Sequence, residues 1–142
     1  MFDGTELDFW LGDWVATWAG GHGTNVIERA FGGHVIHERF DAAPDDDGTG
    51  ALHGESWSVF DPKRALWRQT WVDDQGSYFD LVGDRVDDWF AFVRDAPGLG
   101  PGGRQRMVFR DIEPDAFRWT WERSLDAGVT WEVSWEIAYQ RR

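Results

Sequence analysis

The chain has 142 residues and no cysteine, and its 26 Asp and Glu outnumber 14 Lys and Arg to give a formal net charge of −12. One domain with room for a sizeable core is expected at this length, and disulfides, thiol catalysis and thiolate metal sites are excluded. The negative charge opposes binding to nucleic-acid phosphates or anionic membrane surfaces.

The opening MFDGTELDFW has no basic, apolar leader and no membrane-length apolar run, so a cytoplasmic protein is expected. Residues 5–11, TELDFWL, predict a short helical turn. Beyond them, apolar–polar alternation bounded by turn residues predicts strands near 14–18, 25–31, 34–41, 51–60, 65–73, 77–83, 88–94, 104–111, 116–123 and 130–139. The punctuation is GG at 32–33, PDDDGTG at 44–50, DPKR at 61–64, DDQG at 73–76, GDRVD at 83–87, APGLGPGG at 96–103 and EPD at 113–115. About ten strands with no helices between them predict a single all-β domain over 1–142, an antiparallel meander that closes into a barrel or packs as a sandwich. The 11 Trp and 10 Phe suit strands, and call for either dense aromatic packing or an aromatic-lined cavity.

Hairpin arithmetic assigns faces. A two-residue turn at Gly32-Gly33 sets Phe31 opposite His34, Arg29 opposite Ile36 and Ile27 opposite Glu38. The face bearing the larger apolar residues then carries Asn25, Ile27, Arg29, Phe31, His34, Ile36, Glu38 and Phe40 inward, with Arg29 and Glu38 placed to pair as diagonal neighbours. A four-residue DPKR loop sets Ser58 opposite Trp67, Ser56 opposite Gln69 and Gly54 opposite Trp71, small residues facing large ones as in a pocket wall. A one-residue slip would instead turn Trp57 and Val59 inward. In the last hairpin Trp121 faces Val133, Trp119 faces Trp135 and Phe117 faces Ile137 on the internal side, while Arg118 and Glu136, Thr120 and Ser134 form the polar side that also takes Glu122.

The turn of that hairpin, SLDAGVTW at 124–131, resembles the Asp-box of sialidase-type β-propellers. A propeller needs several blades of roughly 40–50 residues, and the chain holds a single copy of the box. The box is therefore read as a turn-shaping device, in which Asp126 and Ser124 bond nearby amides and Gly128 supplies left-handed backbone.

Gly12-x-Trp14 in LGDW, following the short helical segment, resembles the start of calycin barrels, the lipocalin and fatty-acid-binding group. There the Trp plugs the closed end beneath a basic residue of the last strand, a cation–π role that the resemblance gives to Arg141 or Arg142. FWLGDW, GGHVIHERF, FDPKRALWRQTWVDDQG and WTWERSLDAGVTW together resemble an uncharacterised bacterial family of small lipocalin-like domains, across nearly the whole chain. The resemblance implies a calycin-type up-and-down β-barrel and puts Glu38, Ser56, Asp61, Trp67, Gln69, Trp71, Asp73, Glu122 and Trp131 at recurrent positions, with no established reaction. The nitrobindins, a related group, hold haem through a late histidine; the last histidine here is His53, so no haem or other cofactor is expected.

Other chemistry finds little support. His34 and His37 alternate across one strand, His22 sits in a Gly loop, and only the register of 51–60 brings His53 beside His37 or Glu38, so no metal site is expected. PDDDG lacks the ligand spacing and terminal Glu of an EF-hand loop. No Gly-x-Ser-x-Gly is present, and GLGPGG lacks the Lys and Ser/Thr of a phosphate loop, which leaves it as a flexible loop or a lid over the barrel mouth. A glycosidase pair of Glu38 and Glu122 is disfavoured by the outward side assigned to Glu122. The expected function is binding of a small aromatic or amphipathic molecule, with Trp67, Trp71, Trp119, Trp121 and Trp135 supplying apolar area and Asn25, Arg29, Glu38, Ser56 and Gln69 orienting polar groups. The alternative is a cyclase or isomerase with Glu38 as general acid/base. Nucleic acid and membrane are not expected as partners, and a homodimer is left open.

Overall fold

Each alternating stretch becomes one strand, and each strand pairs with its neighbour in sequence. The computed structural model describes residues 2–142. Its strands are β1 (Gly12–Trp18), β2 (Gly21–Ala30), β3 (Val35–Ala42), β4 (Leu52–Asp61), β5 (Leu66–Asp73), β6 (Tyr78–Val86), β7 (Trp89–Asp95), β8 (Arg104–Arg110), β9 (Ala116–Ser124) and β10 (Glu132–Arg141). All neighbours are antiparallel, and β1 pairs with β10 through Trp14–Arg141 and Ala16–Tyr139, closing the ten strands into an up-and-down barrel. The expected helical segment is a single 3-10 turn, Asp8–Trp10. No helix among the described residues is long and apolar enough to cross a membrane.

One end of the barrel is plugged. Trp14 is fully buried there and donates its indole N–H to Trp10 O at 2.8 Å. The Arg141 guanidinium sits 4.2 Å from the centre of the Trp14 ring and donates to Leu11 O (2.8 Å) and Phe9 O (3.2 Å). Gly12, at φ +126°, has no room for a side chain because Arg141 occupies the space a Cβ would need. Phe9, Trp10, Phe90, Phe109 and Phe117 complete the plug, mostly through edge-to-face contacts.

The Asp-box is the turn device anticipated. Asp126 accepts from the Thr130 amide (2.9 Å) and hydroxyl (2.6 Å) and from Ser124 Oγ (2.7 Å), while Ser124 Oγ accepts from the Gly128 amide at 2.8 Å. Gly128 lies at φ +89°. The 96–103 loop rises at the same end of the barrel, where the Ala127 amide donates to Gly102 O at 2.9 Å. It leans on the Asp-box, and none of its residues lines the interior pocket described below.

One turn and two assigned registers need correction, and both registers are displaced by the same two residues. The β2–β3 pairing is as expected, Arg29 with Ile36 and Ile27 with Glu38, but the ladder ends at Ala30–Val35. Phe31–Gly33 form a 3-10 turn, which puts Phe31 and His34 outside at the rim instead of facing one another within. In β4–β5, Ser58 pairs with Gln69, Ser56 with Trp71 and Phe60 with Trp67, a shift of two residues, because Ala65 adopts φ +51° and the connection is Pro62–Ala65 instead of DPKR. In β9–β10 a bulge between Val133 and Trp135 sets Trp121 opposite Trp135 and Trp119 opposite Ile137. His22 belongs to β2, not to a loop. Displacement by two preserves the face of every residue while moving it along the barrel axis.

Hydrogen bonds hold the Asp126 carboxyl at about 2, below its ordinary 3.8, so it stabilises the fold above that ordinary value and loses its effect as pH falls through the lower one. Asp126→Ala is expected to lower the melting temperature at neutral pH, with the gap to the parent narrowing as pH falls below 3.8. Thermal melts across pH check this; a gap independent of pH would remove the carboxylate from the turn's stability.

Candidate functional site

The plug fills one end of the barrel, and the other end keeps space. Strands β4 and β5 open toward it at Leu52 and Asp73, and between them and the far wall lies a pocket of about 140 Å³. Its wall is aromatic: Phe40, Trp71, Phe79, Trp119, Trp121 and Trp135, with Leu52, Met107 and Ile137 between them. Trp119 and Trp121 lie nearly parallel at 6.4 Å, Phe79 stacks on Trp121 at 5.6 Å, and Trp135 stands edge-on to Trp119 at 5.7 Å. Trp71 is held by its indole N–H on Asp73 at 2.9 Å. Its ring also occupies the space that a Cβ on Gly54 would need, so the small residue seats the Trp instead of leaving a gap.

Glu38 and Tyr139 supply most of the polarity of the pocket, with Asp73 at its outer edge. The Glu38 side chain is buried at 7% exposure, and it accepts from Asn25 Nδ2 and Ser56 Oγ, each at 2.7 Å. Burial pushes its carboxyl above the ordinary value, and the two hydrogen bonds offset only part of that shift. Tyr139, 3.5 Å from Asn25 Nδ2, is pushed well above the ordinary tyrosine value by burial and by the neighbouring Glu38 charge. The Asn25 Oδ1 atom has no hydrogen-bond partner among the described residues, so the cluster is rich in acceptors.

Among the anticipated site residues, Glu38, Trp71, Trp119, Trp121 and Trp135 line the pocket, and Asn25 and Ser56 hold Glu38 from behind. Arg29 does not belong to it. Near the end of β2 it reaches out to Asp8 and Gly33 O at the plugged rim, where its guanidinium keeps water instead of being desolvated inside. The Arg29–Glu38 pair therefore does not form. Trp67 also lies elsewhere: the two-residue shift pairs it with Phe60, one step nearer the plug, where it packs on Phe60 and Phe90 and donates to Glu6 Oε1 at 2.8 Å. Gln69 is buried on Ser58 at 2.9 Å, behind the pocket rather than in its wall, with Oε1 unpartnered.

Phe40 and Ile137 were placed on internal faces by alternation but not assigned to a site. Tyr139 was legible as the next residue of the 135–137–139 series. Phe79 and Met107, on β6 and β8, enter the pocket by pairing with residues already anticipated there, Phe79 opposite Trp71 and Met107 opposite Trp121, in hairpins whose registers are not assigned from the sequence.

The outer wall carries two polar clusters. Glu122 is on the outward side as expected, yet buried at 2% exposure beneath Arg106 and Arg110, each at 2.8 Å. Burial would raise its carboxyl, but the bonds from Arg110, Thr120 and Arg106 outweigh that and hold it below the ordinary carboxylate range. On β3–β4, Glu55 bridges His37 (2.6 Å) and His53 (2.9 Å), and His53 also meets Asp41 at 2.8 Å. The Glu55 and Asp41 bonds raise His53. His53 does not approach Glu38, and no group of three or more His, Asp or Glu able to hold a metal is found among the described residues.

No protein-family model matches the sequence, and no curated protein matches it either. The chemistry of the pocket therefore rests on its own residues.

Glu38 has no cationic partner among the described residues, so its ionisation opposes folding. Between the ordinary 4.5 and its raised value the folded chain keeps a proton that the unfolded chain releases, and stability falls as pH rises through that window. Glu38→Gln is expected to be at least as stable as the parent at pH 7, with its advantage vanishing as pH drops toward 4.5. Melting curves over that range check the sign. A strongly destabilised mutant at neutral pH would mean that Glu38 does have an ionic partner.

Proposed function

We propose that the protein binds a small aromatic or amphipathic molecule in the barrel pocket, and that its membership of the lipocalin-like group and a cytoplasmic location belong to the same reading. The observation that carries the proposal is the pairing of six Trp and Phe rings with one buried, hydrogen-bonded carboxyl around open space. A pocket that is mostly apolar with a few convergent polar groups is the usual make-up of a small-molecule site. Its size limits the occupant. An apolar cavity of about 150 Å³ accommodates a benzene ring, whereas drug-sized ligands occupy roughly 300–1,000 Å³. At about 140 Å³ the pocket suits one ring, with any further part of the molecule extending through the mouth near Leu52 and Asp73.

A second reading, a cyclase or isomerase, is favoured by one feature: a buried carboxyl whose affinity for its proton is raised, set in an apolar wall beside a phenol. Glu38 would serve as general acid/base. Under this reading Glu38→Gln abolishes turnover while ligand is still bound; under the first, no turnover exists to lose.

Binding is read through the wall itself. Single-ring aromatic ligands are expected to quench Trp emission with one site per chain. Trp71→Ala and Trp121→Ala are each expected to weaken binding by about 1–3 kcal/mol as buried apolar area is lost, while Arg39→Ala, on the outer face against Glu28, leaves it unchanged. If ligands bind and neither Trp substitution matters, the pocket is not where they sit.

A further inference from the structure

We infer that the occupant of the pocket is an organic cation, a protonated amine carried on a compact aromatic or apolar body, received by the Glu38 carboxylate at the floor and by the aromatic wall around it. The inference rests on the binding function proposed above and adds the charge of the ligand to it.

Three independent features converge. The first is the sign of the lining: it carries two carboxylates, Glu38 and Asp73, and no Lys, Arg or His among the described residues. Asp73 accepts from the Trp71 indole and from the backbone amides of Gln75 and Ser77, which outweigh its burial and keep it below the ordinary carboxylate range, so the mouth holds a fixed negative charge. The whole chain, at −12, adds to that attraction.

The second is the state of Glu38. From β2 it faces Asn25, from β4 Ser56, and Tyr139 of β10 lies beside Asn25; all three are neutral, and none of the ion pairs among the described residues includes Glu38. Each Glu38 oxygen accepts one strong hydrogen bond, which leaves further acceptor sites on both. The contrast with Glu122 is instructive. That carboxyl is as deeply buried and has Arg106 and Arg110 upon it. Glu38 has the burial without the cation, and an ammonium group entering from the pocket is the partner that would complete it.

The third is the wall. Trp71, Trp119, Trp121, Trp135, Phe40 and Phe79 present ring faces and edges around the space above Glu38. Aromatic faces attract cations, and most strongly where water is excluded. One ring of the wall already does so within the protein: the Arg94 guanidinium lies 4.5 Å from the centre of Phe79, held by Gln105 at 2.6 Å. Arg94 is not in the lining, so it leaves the cation position inside the pocket free.

A charged ligand also changes protonation. An ammonium group next to Glu38 favours the ionised carboxylate, so whatever fraction of Glu38 is protonated in the free protein loses that proton to solvent on binding.

The test uses three probes of similar shape on the whole chain at pH 7: 2-phenylethylammonium, 2-phenylethanol and 3-phenylpropionate. Trp quenching gives the affinities, and calorimetry in two buffers of different ionisation enthalpy counts protons. The ammonium probe is expected to bind at least about ten-fold more tightly than the alcohol and the carboxylate, and to release protons. Glu38→Gln is expected to erase that preference and the proton release. The comparison among probes on the parent protein decides the matter even if the variant folds poorly. Should the alcohol or the carboxylate bind as well as the ammonium, binding stands and its cationic character falls. Should none of the three bind, the binding function itself falls, and this inference with it.

Discussion

The rest of the structure depends on one closure, the pairing of β1 with β10. With that seam made, every strand of the described residues has two neighbours and the sheet has no edge strand. The seam is fastened from the last strand, where Arg141 covers Trp14 and binds the carbonyls of Phe9 and Leu11. A single side chain thereby ties together the chain's final strand, its first strand and the 3-10 turn that stoppers the barrel. The absence of a Cβ at Gly12 is what lets the guanidinium come so close.

Closure creates an interior, and the aromatic residues divide it. Around the plug, Phe9 meets Phe109 and Phe117 edge to face, Trp10 meets Phe109 in the same way, and these rings fill the volume between strands. Farther along, the rings of Trp119, Trp121 and Phe79 stack along one wall and Trp71 is drawn aside by Asp73 and received by Gly54. Parallel rings held against a wall do not fill the centre. Packing at one end and space at the other thus come from the same residue type in two arrangements.

The two buried carboxyls show how position decides chemistry. Glu122, on the outside of the barrel, is reached by two long Arg side chains from β8, which neutralise it and hold its proton affinity down. Glu38, inside, accepts hydrogen bonds from the short side chains of Asn25 and Ser56 and from no cation among the described residues, and its proton affinity rises. The outer wall can recruit flexible cations from solvent; the inner wall has no such supply, and the one cation expected there, Arg29, takes the shorter route to Asp8 and water. Burial without a cation among the described residues is thus the condition of Glu38, and burial with two is that of Glu122.

Alternation by itself determined the class of fold and which face of nearly every assigned strand is buried, because side-chain direction in a strand has a period of two and survives any even error in register. For that reason Asn25, Glu38, Trp71, Trp119, Trp121 and Trp135 keep the interior side that hairpin arithmetic gives them although two registers move, whereas the face of 51–60 was open until the β4–β5 register placed Ser56 inside and Trp57 outside. The Asp-box turn was legible as well, since its hydrogen bonds are all local. Height along the barrel was not legible. It is set by where a turn begins, and the left-handed Ala65 and the bulge at Val133–Trp135 each move a strand by two residues, which carries Trp67 out of the site and sets Trp121 beside Trp135. Nor did the sequence show that Phe79 and Met107 reach the pocket or that Arg29 leaves it. Those placements depend on the registers of the β5–β6 and β8–β9 hairpins, which set Phe79 opposite Trp71 and Met107 opposite Trp121, and on whether a long charged side chain near a strand end finds solvent, which only the assembled barrel decides.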